Sequence, residues 1–231
     1  MSIDRFYPYA IVYSIAILYG SWRNKYLRLP FQLLLFLLIY SFAGEIFVNI
    51  LGKQINTGGP YYHFHVMLEY GFLAIIYYSS ILKQYRWGKY WLYLSVIAVL
   101  SFNLLNSFYW QPITESALPT NGILVSSTFV LFMGLITYTS LLNYSSNTPL
   151  IKTSVFWFNT GTILFYLTGF FIFALFKKYM SSDIYSDIVK NILYISNLIM
   201  YSSYGISLYM EVSTNKKNNF TDTPESSPEK P

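Results

Sequence analysis

Tyr61-Tyr62-His63-Phe64-His65-Val66-Met67-Leu68-Glu69-Tyr70, continuing as an apolar run to Tyr78, is the stretch whose reading decides the fold. It contains both histidines of the chain, and Glu69 stands in the middle of its apolar residues. His65 and Glu69 are four positions apart, so on a helix they share a face. A block of this length, here about residues 64–82, approaches the ~20 residues that cross the ~30 Å hydrocarbon layer of a bilayer. The stretch therefore reads as a transmembrane helix that carries ionisable groups.

The composition agrees. Of 231 residues, 54% are hydrophobic, 21% aromatic and only 11% charged, whereas a soluble domain carries about a quarter charged residues. The class is all-α integral membrane protein, with the lipid bilayer as its first partner. There is no cysteine, which excludes disulfides, thiolate metal sites and cysteine nucleophiles. The net charge of +5 is read as basic residues held on the cytoplasmic side, so nucleic acid is not expected as a partner.

Working outward, seven apolar blocks emerge at about residues 6–21, 31–51, 64–82, 90–109, 122–142, 154–176 and 188–210. The first is short enough to rival a signal peptide. Asp4 beside Arg5 and the lack of a small-x-small cleavage site before Trp22 favour a retained helix. Pro8 falls where a first helical turn tolerates it. Gly58-Gly59-Pro60, Gln111-Pro112, Leu118-Pro119 and Asn147-Thr148-Pro149 supply the connectors. Residues 213–231 turn polar and read as a disordered cytoplasmic tail, leaving 1–212 as one seven-helix bundle.

Basic residues orient it. Arg23, Lys25, Arg28, Lys83, Arg86, Lys89, Lys152, Lys216 and Lys217 fall on one side, against Arg5, Lys53, Lys177, Lys178 and Lys190 on the other. The bias places the N-terminus outside and the C-terminus inside a bacterial-type cytoplasmic membrane. The two Asn-x-Ser/Thr sequons, at Asn143 and Asn219, then lie on the inner side. A spacing of about 125 positions relates helices 2–3 to helices 6–7, but residue types this common in the chain explain the match as well as a repeat does.

The polar residues inside the spans need an explanation, because lipid penalises a central charge by ~2.5–3.5 kcal/mol. Glu45 is expected ~9 Å below the outer end of helix 2 and Glu69 ~7–8 Å below that of helix 3. Both are read as pointing inward at a common height. Ser41, Glu45 and Asn49 share one face; Tyr62, His65 and Glu69 share another. Asn103 and Asn106 on helix 4 and Asn197 on helix 7 come to the same side of the membrane. The expected site is an outward-facing pocket of Glu45, Asn49, His65, Glu69, Asn103, Asn106 and Asn197 for a small ligand or cation.

Each piece also has a plainer reading. The asparagines serve equally as interhelical hydrogen-bond glue, His63 as an interfacial residue, and the tyrosines and tryptophans at span ends as an aromatic belt. His63, His65, Glu45 and Glu69 are ligand types for zinc or manganese. A His-x-His pair on a helix splays its rings, however, so no metal site is assigned. The sequence indicates no cofactor. Three functions follow: ligand or cation binding for sensing or transport, acid–base chemistry on a lipid or isoprenoid by Glu69 and His65, or a structural subunit assembled with a membrane-protein partner. The motifs of familiar seven-helix proteins are absent: helix 7 lacks a mid-span lysine, no Asp-Arg-Tyr follows helix 3, and there is no Gly-x-Ser-x-Gly.

Overall fold

The computed structural model describes residues 3–48, 58–113, 118–144, 149–175 and 183–221. Among them the fold is all-helical, with seven α-helices: α1 (Ile3–Trp22), α2 (Leu29–Phe47), α3 (Gly58–Ser80), α4 (Gly88–Leu105), α5 (Thr120–Tyr144), α6 (Ser154–Leu175) and α7 (Asp183–Thr221). Pro30 opens α2 in its first turn, where its missing N–H costs nothing. A π-helical turn, Asn106–Trp110, closes α4. Short 3₁₀ turns at Asn24–Tyr26, Leu82–Gln84 and Leu150–Lys152 gather at one end of the bundle, and each carries a lysine.

Four helical stretches are long and apolar enough to cross a membrane: Leu29–Phe47, Gly88–Trp110, Thr120–Asn143 and Ser154–Ala174. The other three helices are long but more polar. Tyrosines dilute α1, two histidines and Glu69 dilute α3, and α7 continues into polar residues beyond Val212.

Two helices differ most from the sequence reading. α3 begins at Gly58 rather than near residue 64, because Gly-Gly-Pro forms the first helical turn instead of a connector; proline needs no donor there. Tyr61 and His63 are therefore helical. α7 runs to Thr221, so residues 213–221, read as tail, are helix. Residues 49–51 of the expected second span, Asn49 among them, and residues 222–231 lie outside the described residues.

The helices form a ring in which α1 packs on α2, α2 on α3, α3 on α5, α5 on α6, α6 on α7 and α7 back on α1; α4 lies against α3 and α5. The centre is filled by Phe31, Leu34, Leu38, Leu73, Phe158 and the rings of Tyr13, Tyr70, Tyr77 and Tyr204. Small residues bring α6 and α7 close. A Cβ on Gly161 would meet Ser203 Cβ at 2.6 Å, and Ser207 Oγ donates to the carbonyl of Ser154 at 2.8 Å. Outward, α4 presents Tyr90, Tyr93, Leu94, Ile97, Leu104 and Leu105. An apolar outer surface of this kind suits lipid rather than water.

The end that carries the 3₁₀ turns is clamped. Glu211 on α7 is 1% exposed and receives both nitrogens of the Arg28 fork, with Nη2 to Oε2 at 2.9 Å. Ser154 Oγ donates to it at 2.7 Å and Asn215 Nδ2 at 3.1 Å. Asn215 also donates to the Tyr26 carbonyl at 2.7 Å. The starts of α2 and α6 are thereby tied to the last part of α7. Burial pushes the Glu211 carboxyl up, but the donors from Arg28, Ser154 and Asn215 outweigh it and hold the group below its ordinary value of 4.5. Stability from this carboxylate is present above that ordinary value and is lost as pH falls through the lower folded value. Arg28→Ala should cost about 2–3 kcal/mol by leaving a buried charge underpaired, measured by denaturant unfolding in detergent at neutral pH. Glu211→Gln should flatten the acid limb of the stability–pH curve below pH 4.5.

Candidate functional site

The site is built on the register between α2 and α3. Gly44 has no side chain, and a Cβ there would meet Tyr61 Oη at 1.6 Å. The Tyr61 hydroxyl is therefore seated against the α2 backbone. One turn deeper, Tyr40 stacks on His65 with centroids 5.5 Å apart. A turn deeper again, Phe36 meets Phe72 at 5.3 Å. In antiparallel helices these pairs set the levels. Glu45 stands beside Tyr61 near the end of the bundle opposite the 3₁₀ turns, and Glu69 lies about two turns, or ~12 Å, further in. The common height expected for the two carboxylates does not hold, because α3 starts six residues earlier than its apolar pattern indicates.

Tyr61, His65 and Glu69 occupy one face of α3 at successive spacings of four. The Tyr61 hydroxyl lies 3.2 Å from His65 Nδ1, and His65 Nε2 lies 3.5 Å from Glu69 Oε2. The imidazole is sandwiched, since Tyr61 stacks on it at 5.3 Å and 22° while Tyr40 stacks at 5.5 Å and 19°. His65 and Glu69 are each 16% exposed.

Beyond Glu69 the interior is lined with tyrosines. The Tyr166 hydroxyl of α6 lies near the Glu69 carboxylate, and Tyr201 and Tyr204 of α7 lie within its field. Tyr204 shares a hydrogen bond of 2.9 Å with Thr162, and Tyr77 donates to Asn159 Oδ1 at 2.8 Å. Toward the end opposite the 3₁₀ turns, Glu45 lies within electrostatic reach of Tyr9 and Tyr62, and more distantly of Glu69. Tyr9, Tyr13 and Tyr201 pack ring on ring, with Tyr13 and Tyr201 only 3.9 Å apart. The arrangement is a column of carboxylate, imidazole and phenol groups descending from Glu45 into the bundle.

The other expected residues divide. Asn197 is half-buried on α7, one turn outward of Tyr201 on the same face. Asn103 and Asn106 are buried but belong to a different cluster, at the junction of α4 and α5. Asn103 Nδ2 donates to the Val99 carbonyl at 2.9 Å and reaches Ser126 Oγ at 3.4 Å. Asn106 donates to Gln111 Oε1 at 3.1 Å and accepts from Asn121 at 3.3 Å. His63 points into that same junction, with Nδ1 2.6 Å from Ser107 Oγ. These groups are hydrogen-bonded to one another across helices, which is the glue role. His63 and His65 do not converge, and among the described residues no three His, Asp or Glu side chains gather to hold a metal. Asn49 lies outside the described residues.

The sequence reading missed the interior tyrosines because it assigned them to the belt. The signal was their spacing: Tyr9 and Tyr13 four apart, Tyr61 four before His65, and Tyr201 and Tyr204 three apart. Glu211 was missed for a similar reason, although Ser207, Glu211 and Asn215 repeat at four. No protein-family model, curated protein or solved structure matches this chain.

The seating of Tyr61 against Gly44 yields a test. Gly44→Ala should displace the Tyr61 ring and cost about 1–3 kcal/mol. Thermal unfolding in detergent reads the cost. A shifted imidazole resonance of His65, with that of His63 unmoved, locates it.

Proposed function

We propose that this chain is a seven-span protein of a bacterial-type cytoplasmic membrane, N-terminus outside, whose outward-opening column at Glu45, His65 and Glu69 binds a small cation for sensing or transport. The observation that carries the reading is the His65–Glu69 pair, set among tyrosine rings, with Glu45 standing above it. Carboxylates in a low-dielectric bundle attract positive charge strongly. Tyrosine hydroxyls supply oxygen ligands or hydrogen bonds at several depths. Asn197 extends the same face of α7 outward and belongs to the entrance. Asn103 and Asn106 brace α4 on α5 instead.

The topology rests on charge. The 3₁₀ turns bearing Lys25, Lys83 and Lys152 lie at the end where Arg28 grips Glu211, and Glu45 lies at the other. By the positive-inside rule the lysine end is cytoplasmic. The chain has no cysteine, so single introduced cysteines report cleanly. In intact cells an impermeant maleimide should label Ser2→Cys and spare Ser227→Cys. The opposite pattern inverts the orientation.

Binding is tested by melting the detergent-solubilised protein against sodium, potassium, magnesium, calcium and tetramethylammonium chlorides at constant ionic strength. One of these should stabilise it with saturation, approaching about 2.7 kcal/mol at a hundredfold excess over Kd. Glu45→Gln and Glu69→Gln should each weaken the effect. A flat response to every cation, or an unchanged one in both variants, removes the reading.

A further inference from the structure

We propose that Tyr61, His65 and Glu69 form a proton relay through which Glu69, deep in the bundle, exchanges its proton with the outer aqueous phase. The proposal rests on the same column as the cation reading and names the ion that column handles first. Glu69 lies ~12 Å from the level of Tyr61 along the helix axis, and its side chain is as exposed as that of His65, at 16%. Tyr61 and His65 fill that gap, with a hydroxyl and two ring nitrogens in series at 3.2 Å and 3.5 Å.

The transfer balances as follows. With Glu69 ionised, neutral His65 carries its proton on Nε2 toward Glu69, and Nδ1 accepts the Tyr61 hydroxyl. A proton arriving at the Tyr61 oxygen releases the original hydroxyl proton to Nδ1. The imidazolium so formed yields its Nε2 proton to Glu69. Tyr61 and His65 end neutral, His65 as the other tautomer, and Glu69 ends protonated. Discharge reverses each step. Repeated transfer in one direction would require the ring to flip, and its place between Tyr40 and Tyr61 opposes that. The relay therefore loads and unloads a single proton instead of conducting a stream.

The groups facing Glu69 are known from every helix that meets it. They are Tyr40 and Glu45 on α2, Tyr61 on its own helix, Tyr166 on α6, and Tyr201 and Tyr204 on α7. His65 is the one nitrogen base among them. It alone can pass a proton without first ionising a phenol.

The experiment is time-resolved infrared spectroscopy of the full-length protein mixed into D₂O at acid pH, following the carboxylic C=O band that Glu69→Gln removes. Tyr61→Phe keeps the ring and its stacking, and His65→Gln keeps a polar side chain. Both should slow deuterium exchange at this band by roughly a hundredfold, whereas Tyr85→Phe, which removes a hydroxyl bonded to Ser140 away from the column, should exchange at the wild-type rate. An unchanged rate in either Tyr61→Phe or His65→Gln overturns the relay. A second measurement guards against misfolding. The chain has only two histidines, so ¹⁵N-histidine spectra show two imidazoles. Tyr61→Phe should move the His65 nitrogen signals and leave those of His63 in place; an unmoved His65 also overturns the proposal. Melting that responds to no metal or ammonium cation, together with slowed exchange in the variants, would remove the binding reading and keep the relay.

Discussion

Gly44 has no side chain, and the Tyr61 hydroxyl stands in the space that a side chain would occupy. That contact sets the register of α2 on α3, and the rest of the site follows. Tyr40 is brought over His65, Phe36 over Phe72, and Glu69 is carried two turns into the bundle. The tyrosines of α6 and α7 then meet the carboxylate from the far side of the ring. A polar group in an apolar interior must find partners or be excluded. Here the partner is His65 of the same helix, with the phenols of Tyr40, Tyr166, Tyr201 and Tyr204 close by.

The two ends of the bundle treat charge differently. At the end of the 3₁₀ turns, Glu211 is enclosed by Arg28, Ser154 and Asn215, and the carboxylate is compensated by fixed donors. Such a group locks helices in place and offers little to a ligand. Toward the opposite end, Glu69 is met by an imidazole with phenols nearby, and no arginine or lysine of the described residues pairs with it. One carboxylate is a clamp and the other is chemically open. The asparagine cluster between α4 and α5, joined by His63 through Ser107, resembles the clamp in kind.

Several features were legible in the residues alone. Long apolar blocks, scarce charge and boundary prolines already require a helical membrane protein, because only helices satisfy the backbone within lipid when the apolar runs are this long. The four-residue spacing of His65 and Glu69 already implied their pairing. The start of α3 was not legible, since a Gly-Gly-Pro that usually marks a turn serves equally as a first helical turn. Nor was the inward packing of Tyr9, Tyr13, Tyr166 and Tyr201: a phenol suits the membrane interface and a hydrogen-bonded interior alike.

What the sequence by itself determined is class and periodicity: an all-helical chain, its approximate spans, and which residues share a face on a single helix. These depend on local spacing and on transfer free energy, which are properties of a segment. What only the tertiary structure decided is which faces meet and at what depth. It separated Asn103 and Asn106 from Glu69, moved Glu45 and Glu69 to different levels, and gave Glu211 its partners from residues more than fifty positions away. Such relations depend on where a glycine lets another helix approach, and no single segment contains that information.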